Sequence, residues 1–437
     1  MNEIVSNLLV YGSLPEDSIL WQLADICEKL KEGTETKAAL RTRVFHQVKN
    51  LLTVATDYAF DKNLWHNYLT FILITNENPF SLVCEKMGAQ EGTVNNFVTH
   101  DFDMFKELFD YDFSWLEKEL SIDCFTQLTH YQAIRKKELM YNKNVSEKVR
   151  TLSEKLETAE SGADFFQYVT EFYKDYGVGM FGLNKAFRIA ENKDGSVRFL
   201  PINNMDAVML DDLIGYELQK KKLVENTQAF CDGKAANNVL LYGDSGTGKS
   251  TSIKAIVNQF YSQGLRMIEI YKHQFKDLST IIAQIKNRNY KFIIYMDDLS
   301  FEEFEIEYKF LKAVIEGGVE TKPDNVLIYA TSNRRHLIKE TWKDREDMEH
   351  SEDLHRSDTM EEKLSLVNRF GLSIFYAKPN KEGFNEMAVA LARRAGITPE
   401  VMSDEEICYE ANRFEMRGGG LSGRTAQQFA NYLLTIK

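Results

Sequence analysis

The segment "LLYGDSGTGKSTSIKAI", residues 240–256, places a glycine-rich turn between an apolar run and a helical run. The positions from Gly243 to Gly248 hold three glycines and no bulky side chain. Before the turn, "VLLY" at 239–242 has the continuous apolar character of a buried strand. After it, the apolar side chains of 253–260 fall on one face of a helix. The segment therefore predicts a strand, a tight turn in which the backbone approaches a ligand closely, and a helix.

The turn also fits the phosphate-binding pattern GxxxxGK[ST], since Gly243, Gly248, Lys249 and Ser250 have the required spacing. In such a loop, backbone N–H groups face a phosphate chain, and the positive end of the helix adds to the attraction. We expect Lys249 to reach the β- and γ-phosphates of a nucleotide and the Ser250 hydroxyl to ligate Mg²⁺. The alternative is a chance match in an ordinary strand-to-helix turn, and the flanking strand and helix argue against it.

A second acidic site should lie at the end of a neighbouring strand, and "FIIYMDD", residues 292–298, supplies it. Asp297 is predicted to coordinate Mg²⁺, mostly through water, and Asp298 to orient or deprotonate the attacking water. An acidic pair after an apolar strand is also a common surface pattern. Together with the phosphate-binding turn, the pair indicates a nucleoside triphosphatase.

Strand-like and helical runs alternate from residue 239 onward, which predicts an α/β fold whose parallel sheet is covered by helices on both faces. The strand-like runs are "VLLY" (239–242), "MIEIY" (267–271), "FIIYM" (292–296), "VLIYATS" (326–332) and "LSIFY" (372–376). After Pro379 the pattern becomes helical again. This half of the chain is therefore predicted to be a P-loop core followed by helices.

The first part of the chain is mostly helical, and we expect its tryptophans Trp21, Trp65 and Trp115 to be core rather than a partner groove. Two strand-like runs around Asp194-Gly195 then predict a hairpin. The predicted organisation is a helical N-terminal domain at 1–175, a hairpin connector at 176–204, a nucleotide-binding core at 205–377 and a helical lid at 378–437.

Composition narrows the classes of partner and compartment. The 437-residue chain has a formal net charge of -13, which disfavours nucleic acid and anionic membranes as partners. Its 5 cysteines lack CxxC or CxH spacing, so we expect a reducing compartment with neither a disulfide framework nor a zinc module. The N-terminus does not read as a signal peptide, and the most apolar window, "YLTFILIT", is too short to span a bilayer. These features predict a soluble, cytoplasmic protein.

Over residues 205–437 these motifs resemble those of the AAA+ ATPases. The resemblance implies ATP as substrate, Mg²⁺ as cofactor and assembly into homo-oligomers. "DLIGYELQK" at 212–220 is similar to the segment that places backbone around the adenine, with Ile214 and Gly215 at its centre. "ATSN" puts Asn333 at the sensor position that touches the γ-phosphate or the attacking water.

Two arginines extend the resemblance. "NRFG" places Arg369 where the superfamily carries the finger that reaches the nucleotide of the next subunit, and "GLSGRT" places Arg424 where it carries the sensor arginine of the lid. For each, an ordinary ion pair is the alternative. The predicted catalytic residues are Lys249, Asp298, Asn333, Arg369 and Arg424, and the metal ligands are Ser250 and Asp297. The predicted nucleotide-binding residues are Ile214, Gly215, Gly243, Asp244, Ser245, Gly246, Thr247, Gly248, Lys249, Ser250 and Thr251.

More narrowly, "ANNVLLYGDSGTGKS", "TSNRRHLI" and "GLSGRTAQQF" are similar to a bacterial family of AAA+ ATP-binding proteins known only as a domain of unknown function. One departure from the superfamily matters. Asp298 stands where a Glu is usual, as it does in replication initiators of the DnaA type, which implies slow hydrolysis or a switch-like cycle. Glu302 is not favoured as a substitute, because the chain is expected to have left the strand end by that position.

Three further features favour structural roles. In "YKHQFKDL", where unfoldases carry a glycine-containing threading loop, Tyr271 and Phe275 are expected to pack structurally. Arg334 and Arg335 are expected in surface or interface salt bridges. The acidic stretch with His350 and His355 is expected to be a solvated loop rather than a metal site.

Three hypotheses for function remain open at this point. The first is an oligomeric Mg²⁺-dependent ATPase that acts on a protein partner held by the N-terminal domain. The second is a nucleotide-gated binding switch that turns over slowly. The third is a nucleic-acid factor similar to the initiators or helicase loaders, although no basic surface is evident in the sequence.

Overall fold

The computed structural model describes residues 1–135, 141–192, 194–203, 205–300, 307–316, 323–333, 369–418 and 420–436. The chain forms two compact units, Met1–Asn184 and Lys185–Lys437. The first unit is helical, and its described helices are α1 (Asn2–Ser6), α2 (Ile19–Glu32), α3 (Lys37–Tyr58), α4 (Leu64–Thr75), α5 (Pro79–Met87), α6 (Val94–Phe109), α7 (Ser114–Leu120), α8 (Cys124–Thr129), α9 (Lys143–Glu157), α10 (Gly162–Tyr176) and α11 (Gly179–Leu183).

Several helices of the first unit begin at side-chain caps. Ser18, Thr36 and Asn63 each accept a hydrogen bond from a backbone N–H in the first turn of α2, α3 and α4. Asn78 and Ser161 form reciprocal capping boxes at α5 and α10. Because a cap satisfies N–H groups that have no partner within the helix, the local sequence sets where each of these helices begins.

An aromatic-rich core joins the helices of this unit. Trp65 is buried, donates its indole N–H to the Leu108 carbonyl at 2.8 Å and contacts Phe113 edge to face. Trp21 and Trp115 are partly buried and pack against the same core. The three tryptophans therefore serve as core, as the apolar faces of their helices predict.

A buried carboxylate ties the segment after α1 to this core. Asp101, on α6, is fully buried and accepts backbone hydrogen bonds from Leu9, Val10 and Tyr11 at 2.9, 2.7 and 2.9 Å. Three N–H donors stabilise a negative charge that burial alone would disfavour. The carboxylate therefore fixes a stretch of chain that has no regular structure of its own.

Replacing Asp101 by Asn is expected to lower the free energy of unfolding by about 2–3 kcal/mol, because an NH₂ group would then face backbone donors. Tryptophan fluorescence in a urea titration measures this effect, since three of the four tryptophans, Trp21, Trp65 and Trp115, lie in the first unit. Asp110→Asn, at the exposed end of the same helix, is the matched control and should change the midpoint little. Equal midpoints for Asp101→Asn and the wild-type protein would contradict this role.

The second unit contains the predicted sheet. Its strands are β1 (Ala186–Glu191), β2 (Val197–Pro201), β3 (Val239–Gly243), β4 (Leu265–Glu269), β5 (Lys291–Met296), β6 (Val326–Ser332) and β7 (Leu372–Tyr376). Its described helices are α12 (Glu217–Cys231), α13 (Lys249–Phe260), α14 (Leu278–Ile285), α15 (Glu307–Glu316), α16 (Lys381–Arg394), α17 (Asp404–Glu415) and α18 (Gly423–Ile436).

The seven strands lie in the order β2-β1-β4-β5-β6-β3-β7. Strand β2 is antiparallel to β1, and every other neighbouring pair is parallel. Every residue of β6 is buried, so this strand is covered on both faces. The carboxyl ends of β3, β5 and β6 lie at one edge of the sheet, which is the edge where ligands bind in open parallel sheets. The predicted α/β class with a parallel core is thus confirmed.

Strand β4 begins two residues earlier than its sequence indicates, at Leu265 rather than at Met267. The charged residue Arg266 interrupts the apolar pattern, so the pattern does not indicate that the strand begins at Leu265. Its guanidinium lies over the rings of Tyr261 and Tyr290, at 4.2 and 4.5 Å from their centroids, and is buried there. Cation–π contacts with two rings allow a cation inside a buried strand, which the apolar pattern alone does not predict.

Two further elements frame the core. The hairpin expected around Asp194-Gly195 consists of β1 and β2, and β1 joins the sheet beside β4. Helices α16, α17 and α18 enclose a small hydrophobic core of their own. Within the described part of the chain, no helix combines the length and the apolar character that crossing a membrane requires.

Candidate functional site

A cavity of about 600 Å³ lies at the carboxyl edge of the sheet. Its lining residues come from five parts of the second unit, which lie within 212–216, 245–251, 297–298, 331–333 and 387–428. The turn after β3 forms its floor, and α16 and α18 contribute Met387, Leu391, Gln427 and Gln428. Of the predicted site residues, those that line the cavity are Ile214, Ser245, Gly246, Thr247, Gly248, Lys249, Ser250, Thr251, Asp297, Asp298, Asn333 and Arg424.

Glycine geometry shapes the turn. Gly243, Gly246 and Gly248 have φ values of +130°, +76° and +91°, in the region that side chains other than glycine rarely adopt. A Cβ on Gly243 would lie 2.2 Å from the carbonyl oxygen of Tyr376 in the neighbouring strand β7. The three glycines therefore permit a conformation in which the backbone, rather than side chains, faces the cavity.

Gly243→Ala is expected to lower the free energy of unfolding of the second unit by at least about 2 kcal/mol, because strain and a backbone clash add. Gly264→Ala is the matched control. Its φ is +88°, but a Cβ there would meet nothing within 4 Å. Alanine at this position therefore has only the cost of the left-handed backbone conformation, about 1 kcal/mol. Thermal denaturation of both variants measures the difference. Equal losses of stability would show that the clash with the Tyr376 carbonyl adds nothing to the backbone strain.

Lys249 is the central cation of the site. Its side chain is buried at the start of α13, and its ammonium donates to the carbonyls of Gly243 and Asp244 at 2.9 and 2.6 Å and to Asn333 Oδ1 at 2.9 Å. Burial lowers the pKa of Lys249 below its ordinary value, although Asp244 and nearby carboxylates partly offset this effect. The ammonium is thus held by neutral oxygens at the floor of the cavity.

Hydroxyl groups from two elements converge on the Asp297 carboxylate. Ser250, on α13, donates to Asp297 Oδ1 at 2.7 Å, and Thr331, in β6, donates to the same oxygen at 2.6 Å. Partial burial raises the pKa of Asp297, but hydrogen bonds, first from Thr331 and then from Ser250, outweigh it, so the pKa lies below its usual value. The carboxylate is therefore ionised at neutral pH and close to the glycine-rich turn.

Asp298 has an unusual backbone. Its φ is +49°, in the left-handed region, and its N–H donates to Thr331 Oγ1 at 2.9 Å. Its carboxylate accepts a hydrogen bond from Asn333 Nδ2 at 2.8 Å. Since Asn333 Oδ1 accepts from Lys249, one amide links the cation of the turn to the second acidic residue.

The donor set at this edge suits Mg²⁺. The Ser250 hydroxyl and the Asp297 carboxylate, which already contact each other, are the hard oxygen ligands that Mg²⁺ prefers. Magnesium in nucleotide sites is usually held by one or two protein oxygens together with phosphates and water. Among the described residues, no group of three or more His, Cys, Asp or Glu side chains could hold a metal ion. The residues therefore fit a metal that is bound jointly with a nucleotide.

The C-terminal helices contact the turn directly. The Arg424 N–H, at the start of α18, donates to the Gly246 carbonyl at 3.2 Å. Asp244 accepts a hydrogen bond from the Lys378 N–H at 3.0 Å and donates its own N–H to the Tyr376 carbonyl at 3.1 Å. The turn is thus bonded both to the last strand and to the chain that leads into α16.

The segment at 212–220, which the resemblance predicts to surround an adenine, lies partly at the same cavity. Ile214 lines it, whereas Gly215 does not and has a φ of +78°. A Cβ on Gly215 would lie 3.5 Å from Met387 Cε, on α16. The segment and the C-terminal helices thus form an apolar part of the wall.

The other predicted site residues have different positions. Gly243 and Asp244 act through their carbonyls, which hold Lys249, and are outside the cavity lining. Arg369 is half-buried just before β7 and is not part of the lining formed by the described residues. Phe275 is buried, as its expected structural role requires, whereas Tyr271 is exposed and does not pack in the core. Glu302, Arg334, Arg335, His350 and His355 lie outside the described residues.

The sequence motifs did not assign to the site Thr331, Met387, Leu391, Gln427 and Gln428, which also line the cavity. Thr331 left one signal, because it is a polar residue at the end of an apolar run, two positions before Asn333. The local sequence gave no such signal for the four residues of α16 and α18, since their position at the cavity depends on how these helices pack.

Comparison with known proteins gives one family match. The family described as "Protein of unknown function (DUF815)" matches residues 183–436. This match confirms the recognition of a family of unknown function from the motifs. No curated protein matches the chain.

Two solved structures are similar over part of the chain. RuvB from Thermotoga maritima is 17% identical with a TM-score of 0.36, and PCH-2 from C. elegans is 18% identical with a TM-score of 0.33. Each alignment covers 52% of this chain and 65% of the other. This protein thus spans less than two thirds of the length of each of these two structures.

Proposed function

The chain belongs to the family described as "Protein of unknown function (DUF815)", and we propose that the activity of this member is Mg²⁺-dependent binding and hydrolysis of ATP. Its α/β core is of the AAA+ ATPase type. The observation that carries the proposal is the buried Lys249 ammonium, held at the carboxyl edge of the sheet within one hydrogen-bond network with Asn333 and Asp298. Such a cation at a glycine-rich turn is suited to a chain of phosphates.

Each residue has a defined role in this proposal. Backbone N–H groups of 245–250 bind the phosphates, and Lys249 exchanges a carbonyl contact for a phosphate oxygen. Ser250 and Asp297 hold Mg²⁺, which supplies charge neutralisation on the phosphates when it is bound. Asp298 orients or deprotonates the attacking water, and Asn333 positions that water or the γ-phosphate.

Electrostatics supports this division of roles. The pKa of Asp297 lies below its usual value, which suits a metal ligand that stays ionised.

The adenine is expected against Ile214 and the apolar side chains of α16, with Arg424 near the phosphates. ATP rather than GTP is proposed from the resemblance, since the sequence has no guanine-specific NKxD motif near the site.

We further propose that the protein works as a homo-oligomer. Arg369 is not among the described residues that line the cavity, and the proposal that it completes the site of a neighbouring copy rests on the resemblance of "NRFG" to the finger position of the superfamily. The helical N-terminal domain, 1–175, would then hold a protein partner that the 205–377 core and the 378–437 lid act on through ATP-driven motion.

A slow nucleotide-gated switch is the second candidate, and one observation favours it. Asp298 is one methylene shorter than Glu, and its carboxylate is bonded to Asn333 at 2.8 Å. The bond directs the carboxylate toward Asn333, so the shorter side chain has less freedom to approach the attacking water.

Steady-state phosphate release over a range of protein concentrations tests both candidates. An assembling ATPase shows a specific activity that rises with concentration. A switch binds ATP with a turnover that stays near the background at every concentration. Absence of ATP binding by the folded protein would exclude both.

A further inference from the structure

Thr331 contacts both acidic residues of the proposed ATPase site through one hydroxyl. Its Oγ1 donates to Asp297 Oδ1 at 2.6 Å and accepts from the Asp298 N–H at 2.9 Å. A threonine hydroxyl has one donor and two acceptor positions, so a single group can make both bonds. Its backbone carbonyl accepts a third bond, from the Leu299 N–H at 2.7 Å.

These bonds act on the turn that carries the acidic pair. Asp298 has a φ of +49°, which is unfavourable for a residue with a side chain. The Asp298 N–H donates to the hydroxyl of Thr331, and the following N–H, of Leu299, donates to its carbonyl. Two consecutive N–H groups of the turn are therefore bonded to one residue of β6. In this turn the Asp298 carboxylate reaches Asn333, and Asp297 faces Ser250.

From this geometry we infer that Thr331 is a positioning residue, which aligns Asp297 toward the metal and Asp298 toward the water. The inference rests on the proposed ATPase function. Thr331 is 2% exposed, so packing holds its side chain in place. Loss of the hydroxyl would remove the partner of the part-buried Asp298 N–H and leave the Asp297 carboxylate with Ser250 as its hydroxyl donor in place of two hydroxyls.

Thr331→Val and Thr331→Ser separate positioning from packing. Valine keeps the shape without the hydroxyl, whereas serine keeps the hydroxyl without the methyl group. Calorimetric titration with ATP in EDTA and in Mg²⁺ gives the gain in affinity that the metal provides, and steady-state phosphate release gives kcat.

For Thr331→Val we expect ATP affinity in EDTA to stay within about threefold of the wild-type value, because the phosphate-binding turn is intact. The gain in affinity provided by Mg²⁺ should fall about tenfold, and kcat about 10²-fold. Thr331→Ser should restore both quantities to within about threefold of wild type. A purely structural role would instead lower affinity equally with and without the metal.

The outcomes are distinguishable. A folded wild-type protein that does not bind ATP contradicts the proposed function itself. A wild-type protein that hydrolyses ATP while Thr331→Val matches it in metal dependence and kcat contradicts only the positioning role. If Thr331→Val does not fold, Thr331→Cys, whose thiol is a weak donor and acceptor, takes its place with the same expected losses.

Discussion

Lys249→Ala should abolish measurable ATP binding at micromolar nucleotide and lower the hydrolysis rate by at least about 10³-fold. The ammonium belongs to the turn itself, where it is held by Gly243, Asp244 and Asn333. Alanine removes the charge that offsets the phosphate oxygens, and it also cuts the link between the turn and Asn333. Nucleotide titration by calorimetry and phosphate release measure the two effects.

Lys254→Ala is the matched control for this change. Lys254 lies on the same helix, α13, but its side chain is partly exposed and paired with Asp206 at 2.9 Å. Its removal should leave binding and hydrolysis within about twofold of wild type, since an exposed ion pair contributes little. Retention of ATP binding by Lys249→Ala would contradict the assignment of the phosphate site.

Arg369→Ala is expected to have the second large effect, on the rate of hydrolysis. If the arginine reaches the site of a neighbouring copy, its loss should lower kcat by about 10³-fold or more, with little change in ATP affinity. The charge stabilises the departing phosphate only as hydrolysis proceeds, so binding and turnover separate. Arg369→Lys should recover little, because lysine lacks the planar guanidinium.

Mixing variants tests whether Arg369 acts between chains. Lys249→Ala keeps its arginine but cannot bind ATP, whereas Arg369→Ala binds ATP but lacks the arginine. A mixture of the two should hydrolyse ATP faster than either alone. Arg413→Ala, which removes an exposed arginine paired with Glu410, is the control and should hydrolyse ATP at the wild-type rate. Equal rates for the mixture and its components would exclude a site shared between copies.

Local patterns were sufficient to predict many of the residues that the structure places at the cavity. The glycines of 243–248 are required by backbone geometry, which the sequence exposes directly through their spacing. Asp297 and Asn333 follow apolar strands whose parallel pairing brings their carboxyl ends together, so their proximity follows from the fold class.

Contacts between distant segments could not be predicted in this way. The Lys378 N–H bonds to Asp244 across 134 positions, and nothing in either local sequence indicates the pair. Thr331 is a similar case, because its hydroxyl acts on a turn that lies 33 positions earlier. Its strand pattern predicts only that the residue is buried.

Calorimetric titration of the wild-type protein with ATP in the presence of Mg²⁺ is the most direct test of nucleotide binding. The structure predicts one binding site per chain, a gain in affinity when Mg²⁺ replaces EDTA, and no binding by Lys249→Ala. Circular dichroism on the same samples establishes that they are folded. Absence of binding heat from folded wild-type protein at several temperatures, or equal binding by Lys249→Ala, would contradict the phosphate site at this turn.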